Sequence, residues 1–472
     1  MSFNPVWDVD EVMSVIATAV GQARWFTGKE NHPRLQASAY AVLGSTATST
    51  TILYLVSSTD RLLSIPLTFC LLTEQERRFS NVLGTVSSSL GQLAVSDATA
   101  DPDGQNAILY ATLDASNNAS NAMSDVGPGT SAAHPNLPYL ALVPHAIRGL
   151  AKDLPEIIAA EKLTSEQSNT SIIYRFAHAD AAGSTGLILK VFRVINPGKN
   201  PDVQLQQALD HAGSTAVVCQ YGSLSAVVNG ANADLVVAQE FLSDALDAWQ
   251  VMTVGLEKTD GTLTRTDDIT ALGAMTRNIH DELGRSFPTV VADAARRAEI
   301  AATWAQRAER AIDDAPELAE LAPQIQEIYA RSMEKPWPAL QRIHGDYHLG
   351  QVLNAPGRGW VAFDFEGEPL RPLAQRVQPD LALRDVAGML RSFDYAAGAA
   401  HIAGGSKTAL DSWKKAAYTA FLSGYGTIST NEQDLLMALT LDKALYEVSY
   451  EVASRPDWVE IPLSGVYELL GR

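Results

Sequence analysis

The chain has few of the features that mark secreted, nucleic-acid-binding or membrane-spanning proteins. Its 472 residues include two cysteines, Cys70 and Cys219, too few for a disulfide framework or a cysteine-based zinc site. Its formal net charge of −19 disfavours nucleic acid and anionic membranes as partners. No apolar run reaches the about 18 residues that a membrane span needs, and the N-terminus lacks a basic stretch followed by an apolar one. We therefore expect a cytoplasmic protein with no nucleic-acid or membrane partner.

Lysine and arginine are absent between Arg78 and Arg148. Within this stretch, residues 96–135 are dense in Asp, Asn, Ser, Gly and Ala, which predicts a surface insertion interrupted by the apolar run 107–113. Earlier in the chain, hydrophobic spacing predicts a helix over 9–21 and strands over 39–43, 51–56 and 62–70. Residues 1–135 are thus predicted to form an N-terminal subdomain.

The rest of the chain divides into a β-rich part, 136–245, and a helical part, 246–472. In the first, strands are predicted over 172–176, 186–194, 216–221 and 235–241, with a helix over 200–212 that opens on Asn-Pro-Asp. In the second, helices are predicted over 271–282, 291–315, 318–333, 412–423 and 431–453. Two short β-type runs, 351–353 and 360–365, flank a glycine-containing turn and predict a hairpin among these helices. The predicted class is α+β.

The strongest chemical signal is RIHGDYHLGQVLN, followed by WVAFDFEGE. Phosphoryl transfer needs a carboxylate that accepts the proton of the attacking hydroxyl, and oxygen ligands for Mg²⁺. Asp346 is the candidate base, and Gln351 and Asp364 are the candidate metal ligands. Taken alone, HGD is more often a turn and DFEGE a solvated acidic loop. Phosphoryl transfer is favoured over these alternatives, because Asp346 is followed in order by an amide five residues later, by the hairpin and by DFE. We expect His344 to be a buried histidine bonded to backbone.

An ATP-dependent kinase of this type also needs a lysine on a strand for the phosphates. LILKVFR supplies Lys190. An acidic residue on the following helix would normally pair with this lysine, but the sequence has Gln204 there. The ion pair is therefore in doubt, and a hydrogen bond from the Gln204 amide is the weaker substitute. Ser168, Asn169 and Thr170, in EQSNTS, are equally consistent with a phosphate-binding nest or an ordinary turn. The segment AQEFL, residues 238–242, joins the β-rich part to the helical part. In kinases such a segment presents backbone groups to adenine, so Glu240 and Leu242 are two further candidate nucleotide contacts.

These strings together resemble the actinobacterial maltokinases, a branch of the aminoglycoside phosphotransferase-like kinases. The strings LRDVAGMLRSFDYAA and LDKALYEVSYE are the narrowest part of the resemblance, whereas HGD and DFE are shared by many sugar and antibiotic kinases. The resemblance implies a two-lobed protein-kinase-like fold with an N-terminal cap. It also implies ATP- and Mg²⁺-dependent phosphorylation of maltose to maltose 1-phosphate for α-glucan synthesis, with trehalose synthase as a possible partner. In related maltokinases the position of Gln204 is typically Glu.

The helix that contains LDKALYEVSYE is the predicted sugar-binding element. Lys443, Glu447 and Glu451 are spaced by four and share a face, and Tyr446 and Tyr450 form a neighbouring stripe. From the residues alone, a solvated ion-paired face is the slightly better interpretation, and the resemblance reverses that preference. We expect structural ion pairs around the active loop from four other residues: Arg384, Asp385, Arg391 and Asp394.

Two other functions remain open on the sequence. A kinase for another sugar, such as glucosamine, is compatible with the acidic residues Glu366 and Glu368, of which Glu366 is counted among the candidate substrate contacts. A pseudokinase that binds sugar or nucleotide without turnover is supported only by Gln204, and the intact Asp346 and Asp364 argue against it.

Overall fold

A computed structural model describes residues 3, 5–26, 31–58, 61–72, 81–113, 137–147, 154–163, 169–368 and 371–472. The chain folds into two compact units. Unit 1 comprises Met1–Val203 and Cys219–Ser243, and unit 2 comprises Gln204–Val218 and Asp244–Arg472. Over the described ranges, no helix is both long and apolar enough to span a membrane. The three-part division at residues 135 and 245 stays a prediction.

Unit 1 contains two antiparallel sheets. The first has the strand order β1-β2-β3-β5-β4, with a short strand, β10, paired to β3. Helix α1 begins at the capping residue Asp8 and buries Val12 and Ile16 against Tyr54 and Phe69 of this sheet. The elements are α1 (Val9–Gln22), β1 (Gln36–Ser45), β2 (Ser49–Ser58), β3 (Arg61–Leu71), β4 (Val82–Ser88), β5 (Gly91–Asp97) and β10 (Val194–Ile195).

The second sheet of unit 1 has the order β6-β11-β12-β9-β8-β7. Its β-branched and leucine side chains bury a separate core together with helix α2. The elements are α2 (Pro102–Leu113), β6 (Leu142–Ala146), β7 (Ile157–Lys162), β8 (Asn169–Phe176), β9 (Gly186–Phe192), β11 (Gln220–Val228) and β12 (Ala231–Glu240). Helix α3 (Pro201–His211) has its first three residues in unit 1 and the others in unit 2.

Two predictions about unit 1 are wrong. The surface insertion predicted over 96–135 contributes to the core up to Leu113, because Ala98, Thr99 and Gln105 are buried, α2 inserts residues of the apolar run 107–113 into the core, and a Cβ at Gly104 would collide with the Ala98 backbone. Residues 114–135 lie outside the described residues. The strand predicted over 216–221 begins only at Gln220 and continues to residue 228. The other predicted strands of unit 1 are confirmed within a few residues.

Unit 2 is a helical body with a small three-stranded sheet, β13-β14-β15. The predicted helices and hairpin are confirmed, and α9, buried on almost every side, is the long helix that hydrophobic spacing missed. The elements are α4 (Ala248–Thr253), α5 (Thr266–Ser286), α6 (Ala294–Asp314), α7 (Ala322–Glu334), α8 (Leu373–Arg376), α9 (Leu383–Ile402), α10 (Lys407–Tyr425), α11 (Thr430–Ser454), α12 (Glu460–Leu469), β13 (Leu246–Asp247), β14 (Val352–Ala355) and β15 (Gly359–Ala362).

Candidate active site

The β14–β15 hairpin brings two of the predicted metal ligands together. Val352 pairs with Ala362, and the Phe363 N–H donates to the Gln351 carbonyl at 3.1 Å. This pairing sets Gln351, at the start of the hairpin, beside Asp364, at its end. Gln351 Nε2 donates a hydrogen bond to Asp364 Oδ2 at 3.0 Å. An amide and a carboxylate thus meet at one spot and offer the hard oxygen atoms that Mg²⁺ prefers.

The backbone of Asp364 is in the left-handed region, with φ of 62°. Among the described residues, Asn229 is the other non-glycine residue with positive φ. Such a conformation costs roughly 1–3 kcal/mol and is concentrated at functional sites. Aspartate tolerates it better than most side chains. The strain at Asp364 is a second feature, besides its chemistry, that fits a ligand held in a fixed orientation.

The loop that carries Asp346 is held by the buried carboxylate of Asp385, in the first turn of α9. The N–H groups of His344 and Gly345 donate to its two oxygens at 2.8 and 2.9 Å. Gly345 has φ of 85°, which an L side chain rarely adopts. His280, on α5, completes the arrangement, because its Nε2 hydrogen-bonds to Asp385 Oδ2 at 3.1 Å. Burial raises the pKa of Asp385, but the hydrogen bonds and charges of these partners outweigh it and hold the pKa below its ordinary value.

We expect Asp385→Ala to destabilise the folded chain by about 3 kcal/mol, because it leaves the buried N–H of His344, the partly buried N–H of Gly345 and the His280 ring without their acceptor. Urea unfolding followed by circular dichroism measures the change. The matched control is Asp281→Ala, on α5, where an exposed carboxylate pairs with Arg277 at 2.9 Å. It should change the unfolding free energy by less than about 1 kcal/mol. Equal effects of the two substitutions would contradict the role given to Asp385.

His344 has the structural role that the sequence predicted. Its Nε2 hydrogen-bonds to the Phe363 carbonyl at 2.9 Å. Its ring lies 4.4 Å from that of Phe365 and 5.2 Å from that of Tyr347. Because Phe363 directly precedes Asp364, His344 ties the loop that carries Asp346 to the residue beside the candidate metal ligand.

Lys443, on α11, reaches the candidate base. Its Nζ lies 3.4 Å from Asp346 Oδ1 and 3.1 Å from Glu368 Oε1. Glu368 is 3% exposed and is also bound by Arg307 at 3.2 Å. Arg307 in turn contacts the buried Asp442 at 2.8 Å. Burial raises the pKa of Glu368, but the charges of Lys443 and Arg307 outweigh burial and lower the pKa to about 2.

This lowered pKa makes the folded state sensitive to acid. The Glu368 carboxylate stabilises the fold fully above its unfolded pKa of about 4.5, and the stabilisation is lost as the pH falls toward about 2. The full difference is of order 3 kcal/mol, at about 1.4 kcal/mol per pH unit. We expect Glu368→Gln to reduce the pH dependence of the unfolding free energy between about pH 5 and 2. Urea unfolding curves at several pH values measure it, and an unchanged slope would contradict the pairing.

Two predicted sugar contacts are occupied by other partners. Glu447 accepts a hydrogen bond from the buried Arg391 at 2.8 Å. Glu451 has no exposed side-chain surface and accepts hydrogen bonds from Tyr395, at 2.9 Å, and from Arg455. The face is therefore ion-paired, as one of the two interpretations had it, but its two carboxylates are buried rather than solvated. Arg391 also pairs with Asp394, so both residues form the structural ion pair predicted for them.

The other predicted sugar contacts keep accessible surface. Tyr446 and Tyr450 stack with ring centroids 6.5 Å apart, and Tyr450 is 44% exposed. The Lys443 ammonium lies 5.2 Å from the centre of the Tyr446 ring. Glu366 remains partly exposed beside Arg376, whose guanidinium is 4.0 Å from its carboxylate. Lys443, Tyr446 and Tyr450 therefore stay together on one side of α11, and Glu366 lies near Asp364 along the chain.

In unit 1, Lys190 has an acidic partner that the sequence analysis missed. Its Nζ lies 3.2 Å from Asp202 Oδ2, and both side chains are largely buried. Asp202 is in the first turn of α3, two residues before the position considered. Gln204 Oε1, in unit 2, instead accepts a hydrogen bond from Arg342 at 2.8 Å. A hydrogen bond between Gln204 and Lys190 stays a prediction, and the signal that could have found Asp202 is the Asn-Pro-Asp helix start.

The remaining candidate nucleotide contacts also belong to unit 1. Ser168 lies outside the described residues. Asn169 and Thr170 are buried in β8, and Thr170 pairs with Val191 and accepts a hydrogen bond from Arg193 at 2.8 Å. At these two positions the predicted turn is a strand. At the end of β12, Glu240 accepts hydrogen bonds from Ser184 and from the Cys219 N–H, and Leu242 is partly exposed.

Comparisons with curated proteins and with solved structures both find glucosamine kinases among the matches. No protein-family model matches the chain. A glucosamine kinase from Streptacidiphilus jiangxiensis is 26% identical over 71% of this chain and 77% of its own. One from Mycolicibacterium smegmatis is 27% identical over 73% and 85%. A solved glucosamine kinase in complex with glucosamine, ADP and inorganic phosphate has a TM-score of 0.68 at 21% identity and covers 98% of this chain and 99% of its own.

These likenesses establish the fold. A second solved structure of glucosamine kinase has a TM-score of 0.70 at 20% identity and covers 98% of this chain and all of its own. The predicted α+β kinase-like fold is confirmed. The curated relatives support a kinase, and their names correspond to the glucosamine alternative rather than to the maltokinases that the sequence strings resemble.

Proposed function

We propose that the protein is an ATP- and Mg²⁺-dependent kinase that phosphorylates a hydroxyl group of a small amino sugar, glucosamine being the first candidate. The observation that carries the proposal is the arrangement of unit 2. There, Asp346 lies on a loop fixed by Asp385, and the hairpin sets Gln351 beside Asp364. Phosphoryl transfer depends mainly on positioning and electrostatic stabilisation, which fixed carboxylates of this kind supply.

The roles follow from the chemistry of each group. Asp346 accepts the proton of the sugar hydroxyl as its oxygen attacks the γ-phosphorus and ADP leaves. Gln351 and Asp364 offer the oxygen ligands for Mg²⁺, which neutralises phosphate charge when bound. In unit 1, Lys190 is the candidate cation for the phosphates, and its pairing with Asp202 holds the ammonium of this largely buried lysine in place. An acidic partner for Lys190 argues against the pseudokinase alternative, which was supported only by Gln204.

Glucosamine is preferred to maltose for two reasons. The curated relatives and the solved structures of similar fold carry that name. In addition, two of the contacts expected for maltose are taken by other partners: Glu447 pairs with the buried Arg391, and the buried Glu451 pairs with the exposed Arg455. Glu366, which keeps exposed surface, is the candidate acidic contact for the amino group.

Maltose is the second candidate, because the stacked and accessible Tyr446 and Tyr450 beside Lys443 would suit the apolar faces of a disaccharide. An association with trehalose synthase belongs to this second candidate alone.

A coupled ADP-release assay with the purified chain tests both candidates. We expect the largest kcat/KM with glucosamine among glucosamine, glucose, maltose and trehalose, and none without Mg²⁺. No ADP release with any sugar would overturn the kinase proposal. A clear preference for maltose would keep the kinase and replace its substrate.

A further inference from the structure

We infer that Glu368 is a positioning residue for phosphoryl transfer, which holds the Lys443 ammonium against one oxygen of Asp346 and so directs the other oxygen at the attacking hydroxyl. The inference rests on the proposed function and deepens it. It gives a role to a buried acid that the reaction scheme does not otherwise use. It also changes the role of Lys443 from a sugar contact alone to the group that orients the base.

The ion pair of Asp346 engages one of its two carboxylate oxygens. Its carboxylate is partly accessible, and Lys443 lies 3.4 Å from Oδ1. Within the described part of the chain, Lys443 is the side chain that forms an ion pair with this carboxylate. Oδ2 is therefore left to accept the hydrogen bond of a substrate hydroxyl. Because the loop backbone is fixed by Asp385, the remaining freedom of Asp346 is the rotation of its side chain, which Lys443 limits.

Lys443 is itself held in place by its neighbours. A lysine side chain has several rotatable bonds and on a surface is mobile. Here the ammonium is bound by Glu368 at 3.1 Å and lies over the Tyr446 ring. Glu368 cannot move away easily, because it is buried and its other oxygen is bound by Arg307 at 3.2 Å. Its pKa of about 2 keeps it ionised at any pH used for a kinase assay, so this anchor does not titrate.

The orientation of Asp346 matters for the transfer of the phosphoryl group. The hydroxyl proton passes to Asp346, the sugar oxygen bonds to the γ-phosphorus, and the bond from that phosphorus to the ADP oxygen breaks, while Lys443 keeps its protons throughout. A misplacement of about 1 Å in such a base can cost of order 100-fold in rate.

A double-mutant cycle on the full chain tests the inference, with Lys443→Met, Glu368→Gln and the double variant. We expect Lys443→Met to lower kcat by about 100-fold and Glu368→Gln by about tenfold, with KM for ATP changed by less than about twofold. Because Glu368 acts through Lys443, adding Glu368→Gln to Lys443→Met should cost nothing more in kcat. Lys443→Arg, which keeps the charge, should restore part of the loss.

The matched control is Lys414→Met, on α10, which removes another largely buried lysine, paired with Glu468 at 2.6 Å. It should leave kcat unchanged, and thermal unfolding of every variant shows whether the fold is kept. If Glu368→Gln does not fold, Glu368→Asp, which shortens the anchor, should give a smaller loss of kcat in the same non-additive pattern. Wild-type kcat in Glu368→Gln, or losses that multiply in the double variant, would overturn the inference. A wild-type chain without sugar-dependent ADP release would instead overturn the proposed function.

Discussion

Asp346→Asn lowers kcat by about 1,000-fold while the fold and nucleotide binding are kept. The amide has the size of the carboxylate and can still accept a hydrogen bond from Lys443 through its oxygen, but it cannot take up the hydroxyl proton. Loss of a general base typically costs 10²–10⁴-fold in rate. The measurement is steady-state ADP release with glucosamine at saturating ATP, together with thermal unfolding and the binding of a fluorescent ATP analogue.

The control for this variant is Asp281→Asn, which makes the same chemical change at an exposed site on α5. It should keep wild-type kcat. Turnover of Asp346→Asn within about tenfold of wild type would show that another group accepts the proton.

Asp364→Asn is expected to lower kcat by a similar factor and to raise the Mg²⁺ concentration needed for half-maximal rate. Asparagine tolerates the left-handed backbone at this position, so the substitution removes the negative charge while the hairpin geometry is kept. A loss of charge from an oxygen ligand weakens the binding of a hard cation. Rates measured across a Mg²⁺ series, at fixed ATP and sugar, separate weaker metal binding from a slower chemical step.

Asp364→Ala serves as the comparison for this experiment. Alanine removes the ligand and also places a side chain without local hydrogen bonding at φ of 62°, which should cost about 1–2 kcal/mol more in folding free energy than asparagine does. The same Mg²⁺ dependence in Asp364→Asn as in wild type would contradict the assignment of Asp364 as a metal ligand.

The parts of this site that the sequence predicted are those fixed by local rules. The β14–β15 hairpin follows from two short β-type runs around a turn with Gly357 and Gly359, and it places Gln351 and Asp364 together without any long-range information. The candidate roles of Asp346, Gln351 and Asp364 could be inferred from their order, because phosphoryl transfer needs a base and metal ligands in one place. The long amphipathic helices of unit 2 were readable from their spacing.

Other parts depend on pairs that are distant in the sequence. Asp385 holds the Asp346 loop, and Arg307 holds Glu368, but neither partner can be identified from local spacing. The spacing of Glu447 and Glu451 placed them on one helix face, yet only their packing shows that both carboxylates are buried and paired with Arg391 and Arg455. Likewise, the composition around α2 predicts a surface insertion, and only the packing of α2 against the sheet shows that it belongs to the core.

The central claim is that the phosphoryl acceptor is a hydroxyl of an amino sugar. The direct test is the ratio of kcat/KM for glucosamine to that for glucose, which differs from it by one amino group, with maltose measured in parallel. An acidic contact to the amine, for which Glu366 is the candidate, should favour glucosamine by about tenfold or more, since a charge-assisted hydrogen bond contributes about 1.5–3 kcal/mol. Equal kcat/KM values for glucosamine and glucose, or a higher value for maltose, would contradict the account.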